Sequence, residues 1–406
     1  MCASLSKNYP QLREFSIGVN PSSMPIVSAV IESICSFKHL TNLRCCGTTL
    51  PLPVKAFVHI ALLPSLRTFS FAATDIYWTN SQFWLLDHKP RPKLFPALQE
   101  LGIVTLSSSF AAKLLSYVGS RRLTRLVLKV IRDIPRKDVL RLLEAIGNID
   151  ASDVLEHLYI LLDVVSNDGQ PGDPAPITGK TLQPLYALDR LTRIQLDIHC
   201  PWGVDDGDLH EMAYTWPMMT VLELGIERPW RGSSANSVLD LPPPRPTFYG
   251  LLMLSRCLQL KTLGLEWNTD VNSPEALMVQ EDFSRPRPDI CMLGRLRIGL
   301  SRVLPGDELR VSGLLARLFL DLKRIETGWV VLWHEERTRE QERQASEGEA
   351  YVADMPAAER IRAYLGIHTR WRAISQFAQE CGFIRYQERN WYFSNYERGY
   401  TPSDEE

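Results

Sequence analysis

The sequence predicts an α/β solenoid, a stack of strand-and-helix units with parallel strands on one side and helices on the other. Three observations lead there. A six-residue pattern recurs along the first 330 residues, proline returns at one phase of that pattern, and the segments between recurrences are amphipathic at helical spacing.

The pattern is clearest in "DLHEMAYTWPMMTVLELGI" (208–226). Leu209, Met212, Ala213 and Trp216 recur at steps of three and four, and after Pro217 the chain switches to Met219, Leu222 and Leu224. Aligning on the second half recovers "LREFSI" (12–17), "LTNLRC" (40–45), "LRTFSF" (66–71), "LQELGI" (98–103), "LTRLVL" (123–128) and "LEHLYI" (155–160). "LTRIQL" (191–196), "MTVLEL" (219–224), "LKTLGL" (260–265), "LGRLRI" (293–298) and a weaker "LKRIET" (322–327) follow, giving eleven units spaced 25 to 41 residues apart. Self-similarity at this period marks a solenoid, and L-x-x-L-x-L is the leucine-rich-repeat core. In a short strand, positions 4 and 6 of each unit face inward while positions 3, 5 and 7 face out. Stacked in parallel, the units bury a leucine and isoleucine core that none could bury alone.

Pro10, Pro64, Pro96 and Pro217 each stand two residues before the first hydrophobic residue of a unit. Proline cannot continue a helix and pushes its neighbour to extended geometry, so it marks the helix-to-strand switch. Between strands, 25–37, 108–119, 136–148 and 249–258 carry apolar residues at helical steps. Units with real helices imply a horseshoe with concave parallel strands and convex helices. The polar ladder residue expected just after each strand is irregular. Asn20, Thr48, Thr74, Asn268 and Ser301 could fill it, whereas Leu106 and Ile131 could not, so uneven curvature is expected. Segments 166–179, 228–247 and 268–289, rich in Pro, Gly, Ser and Asp, read as inserted surface loops.

Residues 1–330 are therefore assigned to the solenoid, and 331–406 to a charged helix, an amphipathic helix and an aromatic-rich C-terminal cap or tail. A solenoid needs a cap over its open edge. At the other end, Met1 precedes the first strand by about ten residues, too few for a cap, and missing upstream sequence is the simpler explanation.

The stretch "DGDLHEMAYTWPMMTVLEL" resembles fungal F-box/leucine-rich-repeat proteins, whose repeats often read D-x-x-L, then Ala, then Trp-Pro before L-x-x-L-x-L. The matching residues are Leu209, Met212, Ala213, Trp216, Pro217, Leu222 and Leu224; "NYPQLREFSI", "LFPALQELGI" and "LFLDLKRIETGW" are similar to other units of that family. The resemblance covers roughly residues 5–330 and implies substrate recruitment to a cullin-type ubiquitin ligase. The F-box helices that would bind a Skp-type adaptor are absent here, so that partner is expected only if an F-box lies upstream of this chain.

Composition fits a folded protein: 45% of residues are hydrophobic and 23% charged, which excludes wholesale disorder. A net charge of -2 provides no bulk attraction for nucleic acid or anionic membrane, and neither is expected as a partner. The longest apolar runs are about half a membrane span. The eight cysteines lie mostly in apolar segments without a regular framework, which suits buried thiols in a reducing compartment. With no basic n-region followed by an apolar stretch at the N-terminus, cytoplasm or nucleus is the expected location.

Chemistry is sparse. "TGKT" (178–181) lacks the upstream Gly of a phosphate loop, since Pro174 holds that place, and reads better as the start of a repeat helix. Cys35, His39, Cys45 and Cys46 lack the paired spacing of a zinc site. Asp205 and Asp206 read as solvated turn residues, and His157 and His199 carry no triad pattern. No enzyme activity, cofactor or metal is expected. The remaining surface is the outward row of strand positions: Arg125, Lys129, His157, Tyr159, Arg193, Gln195, Asp197, Glu223, Glu266, Arg295 and Arg297, with Val127, Val221 and Thr262 between them. Mixed charge around Tyr159 suits a protein client. The first expectation is thus a non-enzymatic recognition protein, the substrate-binding part of an F-box-type receptor, and the alternative is a stand-alone scaffold or inhibitor.

Overall fold

The computed structural model describes residues 9, 11–18, 34–46, 54–73, 94–164, 175–226, 243–282, 291–347 and 355–396. The chain divides into two compact units, Met1–Pro201 and Trp202–Glu406.

Among its described residues the first unit holds seven strands: β1 (Glu14–Gly18), β2 (Asn42–Cys46), β3 (Thr68–Ala73), β4 (Glu100–Thr105), β5 (Arg125–Ile134), β6 (His157–Val164) and β7 (Arg193–His199). Each pairs in parallel with the next in chain order, and the ladder joins Glu14, Asn42, Thr68, Glu100, Arg125, His157 and Arg193 across the sheet. These are the third residues of their hexamers, so the aligned repeats and the hydrogen-bonded register coincide. From β2 to β7 positions 4 and 6 are buried, as Leu126, Leu128, Leu158, Ile160, Ile194 and Leu196 show, while in β1 Phe15 and Ile17 are half-buried. The helices α1 (Val54–Ala61), α2 (Ser108–Leu115), α3 (Arg136–Gly147) and the short α4 (Gly179–Leu182) lie between strands in the chain. In α3, Val139, Leu142, Leu143 and Ile146 are buried at steps of three, one and three, an apolar stripe on one side of the helix. The N-terminal third of this core is aromatic: Phe57, Phe69, Phe71 and Phe95 have ring centroids 4.7–6.2 Å apart.

The second unit continues the scheme with β8 (Val221–Leu224), β9 (Thr262–Gly264), β10 (Arg295–Arg297) and β11 (Arg324–Glu326), again parallel and in order. Its helices are α5 (Asp206–Thr215), α6 (Phe248–Leu254), α7 (Pro274–Asp282), α8 (Glu308–Leu318), α9 (Trp329–Glu347) and α10 (Met355–Tyr396). The opening motif is now explained: α5 buries Leu209 and Met212, Trp216 closes its C-terminus, and β8 follows the proline. Both units are α/β repeat stacks of the leucine-rich-repeat type.

Repeats are joined at the start of each strand by a recurring hydrogen-bond pattern. The carbonyl of position 2 accepts the amides of positions 2 and 3 of the following repeat. Thr124 and Arg125 donate to Gln99 O at 2.9 and 3.0 Å, Glu156 and His157 to Thr124 O at 2.9 Å each, and Thr192 and Arg193 to Glu156 O at 2.8 and 3.0 Å. The same fork recurs from Lys261 and Thr262 to Thr220 O, and from Gly294 and Arg295 to Lys261 O. Where position 2 is threonine, its hydroxyl adds a bond to that carbonyl: Thr41 to Arg13 O, Thr124 to Gln99 O and Thr192 to Glu156 O. The polar ladder expected after the strands is only partly present. Ser301 fills it, its Oγ accepting from the Trp267 amide at 2.9 Å, whereas Asn268 closes a turn by accepting from the Asp270 amide. Asn20, Thr48 and Thr74 lie outside the described residues, as do most of 25–37 and the segments 166–174 and 228–242.

Two expectations need correction. Segment 268–289 is not only a loop, because α7 occupies Pro274–Asp282. Its turn-like composition is the composition of a helix start: Ser273 Oγ accepts from the Ala276 amide, Pro274 opens the helix, and Ala276 and Val279 are buried. Asp206 is not a solvated turn residue, and Asp205, though exposed, is a helix cap. Asp205 caps α5, with Asp208 answering in a capping box. Asp206 reaches across to the next repeat, accepting from the Thr247 amide (2.7 Å), the Thr247 hydroxyl (2.6 Å) and the Gly250 amide (3.0 Å) at the start of α6.

The C-terminal helices pack on the last repeat. Tyr364, Ile367, Trp371, Ile374 and Ala378 of α10 are buried at alternating steps of three and four, and α10 extends as far as Tyr396, into the stretch read as an aromatic-rich tail. Trp329 Nε1 and Trp371 Nε1 both donate to Ser301 O at 2.9 Å, so one carbonyl anchors both helices. The charged helix α9 is tied down by Trp329, Leu332 and Glu336, whose carboxylate takes two bonds from Arg360 at 2.6 and 3.1 Å.

Replacing Asp206 with alanine leaves three donors at the start of α6 without their acceptor and removes charge-assisted bonds. Urea unfolding of Asp206→Ala is expected to show a loss of about 2–3 kcal/mol. Asp206→Asn, which keeps one acceptor oxygen, is expected to lose less. A midpoint equal to wild type in both variants would dissolve the clasp.

Candidate functional site

The strand positions predicted to face outward divide between the two units. In the first, Arg125 and Arg193 are exposed at the two ends of a short row whose middle member is His157. His157 is half-buried; burial first, then the charge of Arg193 and Arg125, hold its imidazole below the usual histidine range, while Glu156 and Glu100 pull the other way. One step further along the strands stand Val127, Tyr159 and Gln195, all half-buried, and then Lys129 with Leu161. The Lys129 ammonium lies 5.6 Å from the Tyr159 ring centroid, a cation–π contact. Asp197 departs from expectation: it occupies an outward position beside Leu161 in the ladder, yet is only 3% exposed.

In the second unit the charges are closed upon each other. Glu326 takes Arg295 in a two-pronged bond, Nε to Oε1 at 2.8 Å and Nη2 to Oε2 at 2.7 Å. Arg324 Nε lies 2.7 Å from Oε1 and Arg297 Nε 3.4 Å from Oε2. Burial opposes ionisation of Glu326, but the bond and charge of Arg295, with Arg324 and Arg297, hold it below the usual carboxylate range. Arg297 also reaches Glu223 at 3.1 Å. Glu223 was expected to face the open side, but it is 5% exposed under that guanidinium. Glu326 and Arg324 were missed as site residues although they occupy positions 5 and 3 of "LKRIET"; the alternation that selected the others selects them too, and only the weakness of that hexamer hid them.

Glu266 is a different case. Its carboxylate turns inward and Oε1 accepts the Leu300 amide at 2.7 Å. Gly299 makes this possible at φ 51°, since a Cβ there would sit 2.5 Å from Oε1. Burial pushes the Glu266 carboxyl up to about 7, partly offset by the Leu300 bond and Arg302.

"TGKT" starts α4, with Thr178 and Thr181 forming a capping box. Cys45 lies in the core while His39 is exposed. Among the described residues no group of three or more His, Cys, Asp or Glu side chains is placed to share a metal. Burial raises the Cys200, Cys257 and Cys291 thiols to about 12, 11 and 12, far from thiolate reactivity. Among the described residues no helix is long and apolar enough to cross a membrane.

No family model matches the chain, and no curated protein sequence does. Among solved structures, a chain in the crystal structure of the yeast Rad7 and Elc1 complex is similar at 15% identity and a TM-score of 0.42, over 78% of this chain and 69% of that one.

Glu266 makes a pH dependence that can be measured. With its carboxyl raised from 4.5 to about 7 on folding, the folded chain holds more protons than the unfolded chain between those values. Stability is therefore fullest below pH 4.5 on account of this group and falls as pH rises through 7. The loss is about 3 kcal/mol at most. Glu266→Gln keeps an oxygen for Leu300 and cannot ionise. It is expected to unfold at higher urea concentration than wild type at pH 8 and to flatten the slope between pH 5 and 8; an unchanged slope would remove Glu266 as its source.

Proposed function

We propose that the chain is a non-enzymatic recognition protein that holds a protein client on the outward row of its strands. The observation that carries this reading is the division made by the alternation. Leucine and isoleucine fill positions 4 and 6, leaving Arg125, Lys129, Tyr159 and Arg193 at least partly exposed on a rigid parallel framework. The sheet fixes their spacing, and a polar surface flanking a half-buried tyrosine has the composition of protein interfaces.

We further propose that this recognition serves a ubiquitin ligase, with the chain acting as the substrate-binding part of an F-box-type receptor. Support for that finer reading is the repeat pattern around "DGDLHEMAYTWPMMTVLEL". The motif's first acidic residue, Asp206, joins one repeat helix to the next, a reason for such repeats to keep an acid there.

Proximity labelling with the full-length protein tests both levels. Arg125→Glu together with Arg193→Glu is expected to remove most labelled partners, and a Skp-type adaptor is expected among those retained. Partner capture unchanged by the reversal would move the client off this face. Loss of clients without any adaptor in the wild-type sample would favour a stand-alone scaffold.

A further inference from the structure

The two units treat their outward arginines in opposite ways. Arg295, Arg297 and Arg324 are each within 3.4 Å of a Glu326 oxygen, so that surface is internally neutralised. Arg125 and Arg193 are exposed, and among the described residues neither forms an ion pair. They stand two strands apart, about 10 Å at the backbone, with His157 between them in register. Beside this row lies a partly apolar floor of Val127, Tyr159 and Leu161, with Lys129 adding a third cation.

We propose that the Arg125–His157–Arg193 row is the seat of an acidic, extended segment of the partner protein. The inference deepens the client-recognition reading and rests on it. Charge complementarity selects the occupant: two exposed guanidiniums and a half-buried ammonium, none of them in an ion pair among the described residues, face outward over a floor that accepts apolar side chains between acidic ones. A phosphate backbone fits worse. Glu100 adjoins Arg125 in the ladder and Glu14 lies further along, and among the described residues no basic stripe extends the row. A phosphate backbone, charged at every step, meets these acids, whereas a protein segment can place its carboxylates at the arginines alone.

Proton uptake accompanies such binding. Burial first, then the charge of Arg193 and Arg125, lowers the His157 imidazole, with Glu156 and Glu100 opposing the arginines. A carboxylate seated between Arg125 and Arg193 cancels their field and raises the imidazole again. Complex formation then takes up a proton, and affinity rises as pH falls.

The test uses the full chain and a fluorescein-labelled decapeptide of alternating glutamate and serine, followed by anisotropy at low salt. The glutamine–serine decapeptide and a ten-residue oligothymidine serve as controls. Expected results are binding of the glutamate peptide at least tenfold tighter than its glutamine counterpart, and at least tenfold loss in Arg125→Gln/Arg193→Gln. No change is expected in Arg295→Gln/Arg324→Gln, which alters the neutralised cluster. Affinity for the glutamate peptide should rise several-fold from pH 7.5 to 6. In His157→Gln the rise should vanish while binding at pH 7.5 persists. No detectable binding of the glutamate peptide, equal binding by the Arg125/Arg193 variant, or tighter binding of the oligothymidine through these arginines would overturn the proposal. If the arginine variants abolish labelling of natural clients but the glutamate peptide does not bind, client recognition by this face stands and only the acidic segment falls.

Discussion

One carbonyl per repeat governs the architecture. At position 2 of the hexamer it accepts two amides from the following repeat, and often a threonine hydroxyl as well. A strand held at its first residues in this way has no freedom to slip by one, and a slip by one would turn every leucine to the open face. The fork therefore fixes register, register places positions 4 and 6 in the core, and the outward row follows. It also explains how the repeats tolerate lengths from 25 to 41 residues. What must be preserved is the junction of strand starts, while the chain between them closes a loop whose entropic cost grows only with the logarithm of its length.

The hexamers showed this register residue for residue, because period-two alternation and a proline phase are local signals. Depth and pairing were not legible. Alternation assigns Asp197 and Glu223 to the outward face correctly, but burial on that face depends on what neighbouring repeats lay over it, and Arg297 covers Glu223 from two strands away. The Glu336–Arg360 pair and the double use of Ser301 O by two tryptophans join residues 24 to 70 positions apart. No spacing rule reports such contacts. In 268–289 the composition was seen but misassigned, since Asp, Ser and Pro mark a helix start as readily as a loop.

Burying charge on a sheet face is costly unless each ion has its counter-ion and its hydrogen bonds. The Glu223 and Glu326 cluster of the second unit meets that condition. Glu223 sits under Arg297, and Glu326 gathers three guanidiniums, so the surface needs nothing from outside.

The first unit does not meet it in the same way. Arg125 and Arg193 flank His157, whose protonation is opposed first by burial and then by the two arginines, while Glu156 and Glu100 pull the other way. Each of these residues occupies a position where the fold requires nothing but an outward side chain, so a neutral residue would serve the leucine core equally well. On the proposed reading, exposed cations without a packing role are what the acids of a partner would meet. The same inference does not extend to Glu266, whose charged form is opposed by burial. Its carboxylate is turned inward onto the Leu300 amide and held there by the left-handed turn at Gly299. An acid in that place shapes the turn after β9, and its unfavourable ionisation is a cost of the fold rather than an opening for a ligand.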